Sequence, residues 1–517
     1  MIYSETKKLH TYPLMCARLL ALLTIALFIF SSTDALHKPD GTEKTLLILH
    51  TNDMHDHLRP DYDGIGGIPF ICGFIRNIRS QRNDVIVLDA GDVAEKGDLV
   101  ARKTGSDMTF EALSRVGYHA WAPGNHDHDF GIEALHRFSK LAGMDILCIN
   151  LLKEDGTLEF EPSAIYDIDG LQVGVIGAIV PRGERSLNLE ETALAMARES
   201  QRLLPDTDVV LAVIHMSVRD AAYISNIAPD IDVFITGHSH QTLREALTVP
   251  HTGAIIVQSG SDAKYVGSLE LTMDTVHRNI LSFDYNLVEM DHRRIAPDLE
   301  LLEWVRKKEM EIAPEANKIV SWSSREINYA EVGYLAAEAL RISTEADIAF
   351  NHTEHVVRST LPAGILDVNA IYRTGGERGH QLILVEMSGA EIHSYIQGLY
   401  ISQWFPTQWS GFHGIVDNGA IQTDLIPDKV YRVVMPQREW DNRLTRLFRR
   451  VADNPDNWPG VEALERPLEP IPLGITWTEA MVHLLNVWNH HNVGLEEGLQ
   501  KIIDETGQQI HLLLLDY

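Results

Sequence analysis

"TLLILHTNDMHDH", residues 45–57, opens as an apolar run and closes on amide, carboxylate and imidazole side chains. The same switch recurs along the chain. "DVIVLDA" leads to Gly91-Asp92, and "HAWAP" to Gly124-Asn125-His126-Asp127-His128-Asp129. "VVLAVI" ends at His215, and "DVFITG" at His238-Ser239-His240. Together with "DILCIN" and "AIIVQSG", these near-continuous Val/Ile/Leu runs predict strands buried on both faces. Helical stretches such as "DMTFEALSRVG" and "ETALAMARESQRLL" lie between them. The pattern predicts an α/β fold over residues 44–295, a largely parallel sheet system sandwiched by helices.

At 517 residues the chain is long enough for two cores. The charged segment "PDLELLEWVRKKEMEIAPEANK" predicts a helical linker over 298–320, and a smaller α+β domain is expected over 325–517. The formal net charge of −29 argues against nucleic-acid polymers and anionic membranes as partners. An anionic substrate would be repelled at long range, so its site would need a local positive centre. Lys7, Lys8 and Arg18 precede "LLALLTIALFIF", and "SSTDA" follows; this order reads as a secretory signal peptide over 1–35, hence a secreted or periplasmic protein. An uncleaved anchor is the alternative. Cys72 and Cys148 have apolar neighbours and read as buried small hydrophobes, with a single disulfide as the minority reading.

In open α/β sheets ligands bind beyond the carboxyl ends of the strands, where loops distant in sequence meet. Asp53, His55, Asp92, Asn125, His215, His238 and His240 all follow strands there. Imidazole, carboxylate and amide oxygen without thiolate suit Zn, Mn, Fe, Co or Mg. Seven candidates exceed one tetrahedral centre and fit two divalent ions with a bridging carboxylate. Asp92 stands alone after its strand and is the natural bridge. Such a pair clamps the attacking and leaving oxygens of an in-line displacement.

Taken in order, "ILHTNDMHDH", "LDAGD", "PGNHDHDFG", "VIHMS" and "TGHSHQ" resemble the calcineurin-like metallophosphoesterases, above all the secreted 5′-nucleotidase/UDP-sugar hydrolase family. "VQSGSDAKYVGSLEL" resembles that family's closing strand pair. The resemblance implies that Asp53, His55 and His240 hold one ion with Asp92, and that Asn125, His215 and His238 hold a second that shares Asp92. It implies a catalytic role for His126, with Asp129 as the carboxylate that orients it. Asp127 and His128 match no essential family position and read as solvated loop or supporting residues; Asp56 and His57 read as supporting or exposed residues, with a direct ligand role as the minority alternative. Asn150 could line the site or close a turn.

Past residue 330 the likeness thins. "VVRSTLPAGILDVNAIYR" and "LILVEMSGAEI" resemble the family's C-terminal substrate domain, and Arg358 matches an arginine that contacts nucleotide. Where relatives have glycine-rich and Pro-Phe-Gly-Asn segments, this chain has "NHTEHVVR" and "GGERGHQ". Phe405 and Trp440 are the candidates for stacking a base, and aromatic packing is the competing reading. Three functions stay open from the sequence. One is release of phosphate from nucleoside 5′-monophosphates or related nucleotides through a metal-bound hydroxide. A second is the same chemistry on 2′,3′-cyclic nucleotides, nucleotide-sugars or non-nucleotide phosphoesters. The third is a secreted binding protein on the same scaffold.

Overall fold

A computed structural model describes residues 43–375, 381–402, 407–417, 420–464 and 466–506. The predicted signal segment 1–35, residues 376–380 of "GGERGHQ", and Phe405 lie outside the described residues. The first half of the chain forms two six-stranded sheets. One has the order β12-β11-β1-β2-β3-β4, from β1 (Glu43–Thr51), β2 (Val85–Asp89), β3 (Ala120–Trp121), β4 (Asp145–Ile146), β11 (Tyr265–Asp274) and β12 (Asn279–Glu289). The other runs β5-β6-β7-β8-β10-β9, from β5 (Ser163–Ile168), β6 (Leu171–Ile179), β7 (Val209–His215), β8 (Val233–Thr236), β9 (Leu247–Thr248) and β10 (Ile255–Val257).

The central strands β1–β4 pair in parallel, as do β6, β7, β8 and β10. Every residue of β2, β7, β8 and β10 is buried, as the continuous apolar runs require. The helices Ile68–Arg79 and Ile132–Ala142 bury apolar faces in one core, and Leu189–Leu203 and Val218–Ile227 in another. The predicted strands at "HAWAP" and "DILCIN" shrink to two residues each because the chain turns early into loops. The outer part of the β11–β12 hairpin, Leu271–Phe283, and the first described residues, 43–45, belong to a small compact unit of their own.

The segment read as a linker is a helix, Leu299–Ile312, followed by a 3₁₀ turn, Pro314–Asn317. Leu301, Val305, Ala313 and Ala316 are buried in the same apolar core as β1 and β2. Beyond it five strands, β13 (Ile348–His352), β14 (Gln381–Ser388), β15 (Thr407–Ser410), β16 (Val430–Pro436) and β17 (Ile471–Thr476), form a sheet of order β15-β13-β16-β14-β17. Only β13 and β16 are parallel, and the other pairs are antiparallel, the mixed pattern of an α+β region. Two apolar clusters cover its faces, one around Tyr334 and Trp477, the other around Tyr395 and Phe448. Among the described residues no helix is long and apolar enough to cross a membrane.

Cys72 and Cys148 are separate buried free thiols, so the disulfide reading falls. Burial pushes each thiol up to about 12. Both should therefore stay unmodified in the native protein and label fully once it is unfolded without reductant; mass spectrometry after alkylation reads this directly, and an oxidised pair would contradict the fold.

Candidate metal centre

The strand-end loops are fastened to one another by main-chain hydrogen bonds. Asp53 N donates to Gly91 O at 2.7 Å, His55 N to Asp92 O at 2.9 Å, and Asp56 N to Val93 O at 2.7 Å. The Asp127 carboxylate accepts Asp92 N, Gly124 N and Ala94 N, each at 2.8 Å, and so binds the loop after β2 to the loop after β3. His238 N donates to Asp53 Oδ2 at 3.0 Å and brings in the loop after β8. A Cβ on Gly124 would lie 2.1 Å from Asp92 Oδ1, so this contact admits only glycine.

Asp53, His55, Asp92, His238 and His240 have φ between 49° and 68°. Left-handed backbone costs a non-glycine residue on the order of 1–3 kcal/mol and clusters at functional sites. Here it turns side chains from separate strand ends toward one region. Two donor groups result, Asp53/His55/His240 and Asp92/His215/His238, and within each the donor atoms lie within 4.8 Å of one another. His55 Nε2 stands 3.0 Å from His240 Nε2, and His240 Nε2 stands 3.3 Å from Asp53 Oδ1. Asp92 Oδ2 is 3.2 Å from His215 Nε2 and 4.0 Å from His55 Nε2, so one oxygen faces both groups. Asn125 Oδ1 is 2.7 Å from His238 Nδ1, which adds the amide to the second group.

These residues fit a pair of cations. His215 Nδ1 lies 2.8 Å from Ala90 O, to which it can donate. Its buried Nε2 has no hydrogen-bond partner and faces Asp92, the arrangement of a ligand atom whose tautomer is fixed from behind. Burial, reinforced by Lys96 and the neighbouring imidazoles, drives His55 well below its ordinary range and keeps it neutral. Burial opposes charge on His215, but the carboxylates of Asp92 and Asp53 outweigh it and push the ring up to about 9. The same attraction overcomes burial at Asp92 and holds its carboxyl below the usual range. A proton on His215 thus sits where a divalent ion would be held.

His126 has a partner that the sequence did not indicate: its Nδ1 meets the carboxylate of Glu95. Asp129 accepts Arg182 Nη2 at 2.7 Å, while Arg182 Nη1 donates to Asn125 O at 2.9 Å. His126 N donates to Asp92 Oδ1 at 2.8 Å, and its ring meets His55 edge-on. Sequence reasoning missed Glu95 and Arg182; Glu95 lies three residues past Asp92 but carries no mark of its tertiary partner. It also undervalued Asp127 and Asp56, both fully buried. The Asp56 carboxylate accepts Glu95 N, Ser106 Oγ and Thr109 Oγ1, and burial raises it to about 6. His57 is buried and turns Nδ1 to the carbonyls of Met54 and His55, and His128 is half-buried. Asn150 is bonded to both the N–H and the carbonyl of Ile179.

In the second half, Arg358 is half-buried, with its main chain held by Thr374 O and Tyr329 Oη. Trp440 packs partly buried against the cluster containing Tyr395 and Phe448, which favours packing over stacking.

Residues 46–242 match the family model described as calcineurin-like phosphoesterase. The chain carries a domain of that family and is a metal-dependent phosphoester hydrolase. Among curated proteins it is 23% identical to a 5′-nucleotidase of Vibrio cholerae serotype O1, over 76% of this chain and 83% of that protein. It is 22% identical to endonuclease YhcR of Bacillus subtilis over 68% of its length, but spans only 32% of that larger protein. The fold is that of the 5′-nucleotidase precursor of Thermus thermophilus, with TM-score 0.68 and 20% identity over 86% of this chain and 96% of the other.

Ion binding should release a proton from His215 at neutral pH. Because its pKa is raised, affinity should climb by up to about tenfold per unit as pH rises toward about 9 and level off above it. Calorimetric titration with Mn²⁺ in buffers of different ionisation enthalpy counts that proton; a pH-independent affinity between 6 and 8 would contradict the arrangement.

Proposed function

We propose that the chain holds two divalent cations and hydrolyses nucleoside 5′-monophosphates or related nucleotides. One cation is held by Asp53, His55 and His240, the other by Asn125, His215 and His238, with Asp92 shared. The observation that carries this reading is the pair of three-residue donor groups with Asp92 Oδ2 facing both. When bound, such ions acidify water near neutral pH and neutralise phosphoryl charge, and Zn, Mn, Co, Fe or Mg would each suit these donors.

The chain's own residues do the rest. Glu95 holds His126 by Nδ1, and the ring donates a hydrogen bond to the phosphoryl group or a proton to the leaving oxygen. Arg182 holds the carbonyl of Asn125 and the carboxylate of Asp129, fixing the turn that carries His126. Residues 44–295 supply this chemistry, the helix after them joins the halves, and residues 325–517 supply substrate contacts, with Arg358 able to grip a phosphate or ribose group. A secreted or periplasmic location accords with the signal-like order of residues 1–35. The packing of Trp440 favours a second reading as well, in which the same chemistry acts on a cyclic nucleotide, a nucleotide-sugar or a non-nucleotide phosphoester.

Turnover of AMP, UDP-glucose, 2′,3′-cyclic AMP, a sugar phosphate and an aryl phosphate, each with added Mn²⁺, Zn²⁺, Co²⁺ or Mg²⁺, separates these substrates. No turnover of any with any ion would leave a binding protein. His126→Ala should keep its metal and lose about 10²–10⁴-fold in kcat. Asp92→Ala should fall below two ions per chain by elemental analysis. Wild-type activity in either variant would remove the role assigned to that residue.

A further inference from the structure

Among the contacts that join the second half of the chain to the loops of the metal centre is a buried arginine. Arg373 lies in the helix Val368–Gly375 and is buried. Its guanidinium is occupied entirely by the first half. Nε donates to Asp98 Oδ1 at 2.9 Å, Nη1 to Asp61 Oδ1 at 2.9 Å, and Nη2 to Arg59 O at 2.8 Å. One turn earlier, Asn369 Nδ2 donates to Asp98 Oδ1 at 2.7 Å, and its Oδ1 accepts Leu99 N at 2.8 Å. Burial disfavours the Asp98 carboxylate, yet Arg373 and Arg59 hold it below the usual range, so the pair is ionised.

Asp98 belongs to the same strand-end loop as Asp92. Its N–H donates to Asp56 O at 3.0 Å, one residue past His55, and its Oδ2 accepts Arg59 N at 2.9 Å. The segment from His55 to Asp61 therefore lies between two fixed edges. Its start is fastened to Asp92 and Val93, and its end to Asp98 and Arg373. Arg373 touches no donor atom of the metal groups, but the segment it clamps begins with one.

We propose that Arg373 is a positioning residue for the Asp53/His55/His240 group, so that docking of the second half and cation affinity at that group are linked. The inference rests on the two-cation reading. Because linkage is reciprocal, docking tightens ion binding, and ion binding tightens docking. Supports of this kind affect metal affinity by about 10–100-fold when removed.

The test compares the full chain with R373Q by Mn²⁺ calorimetry and by amide hydrogen exchange over residues 368–375, with folding checked by circular dichroism. R373Q should bind one of two Mn²⁺ ions about 10–100-fold more weakly. In the wild type Mn²⁺ should slow exchange over 368–375, and in R373Q that response should vanish. A folded R373Q that binds both ions within twofold of wild type, with Mn²⁺ leaving exchange unchanged in both proteins, would overturn the linkage. If R373Q does not fold, R373K keeps the charge without the fork. It should then lose affinity severalfold, and an unchanged value would overturn the proposal. A wild type that binds no Mn²⁺ would instead remove the two-cation reading itself.

Discussion

Two buried carboxylates facing four imidazoles define what the rest of this chain must accommodate. Asp53 and Asp92 are essentially inaccessible to water, and taking such charges out of solvent is costly unless they are paired. Protonated histidine can compensate, as at His215, but His55 and His238 are held below their ordinary range by burial and neighbouring positive groups. A compact divalent charge satisfies several donors at once, where a proton satisfies one. It also reverses locally the repulsion that a chain of net charge −29 presents to a phosphate.

Convergence of the donors requires strain, and the strain is offset nearby. Left-handed residues recur at the loop tips, where each turns a side chain inward without lengthening the loop. The compensating contacts come from Asp127 and Asp56, whose carboxylates accept main-chain and hydroxyl donors from neighbouring loops. Burial and the charge of Asp92 push the Asp127 carboxyl, directly behind the Asp92 main chain, up to about 7. The backbone N–H groups of Ala94 and Gly124 oppose that rise, so its hydrogen bonds and its electrostatics pull in opposite directions.

Residues whose roles depend on their own strand were legible in the sequence. The apolar runs marked the parallel strands because burial on both faces leaves no room for alternation, and each run's first polar residues marked a loop tip at the sheet edge. Roles that depend on two loops approaching were not legible. Spacing along one turn singled out Asp129 beside His126, and it says nothing about Glu95 arriving from the β2 loop. Whether Asp127 was solvated or supporting stayed open because a lone carboxylate in a polar run gives no sign of the three N–H groups it meets. Arg373 sits in a segment whose apolar neighbours mark only a helix, and its acceptors lie some three hundred positions away in sequence.

That separation bears on how the two halves relate. A buried ion pair adds little net stability over well-packed apolar groups, but removing one partner strands the other charge in the interior. Asp98 without Arg373 would keep only Arg59 as a cationic partner, beside the segment that begins at His55. Undocking the second half would therefore expose a buried carboxylate to water. The arrangement makes the metal-bearing edge of the first half and the seat of the second half a single electrostatic structure, built on either side of Asp98.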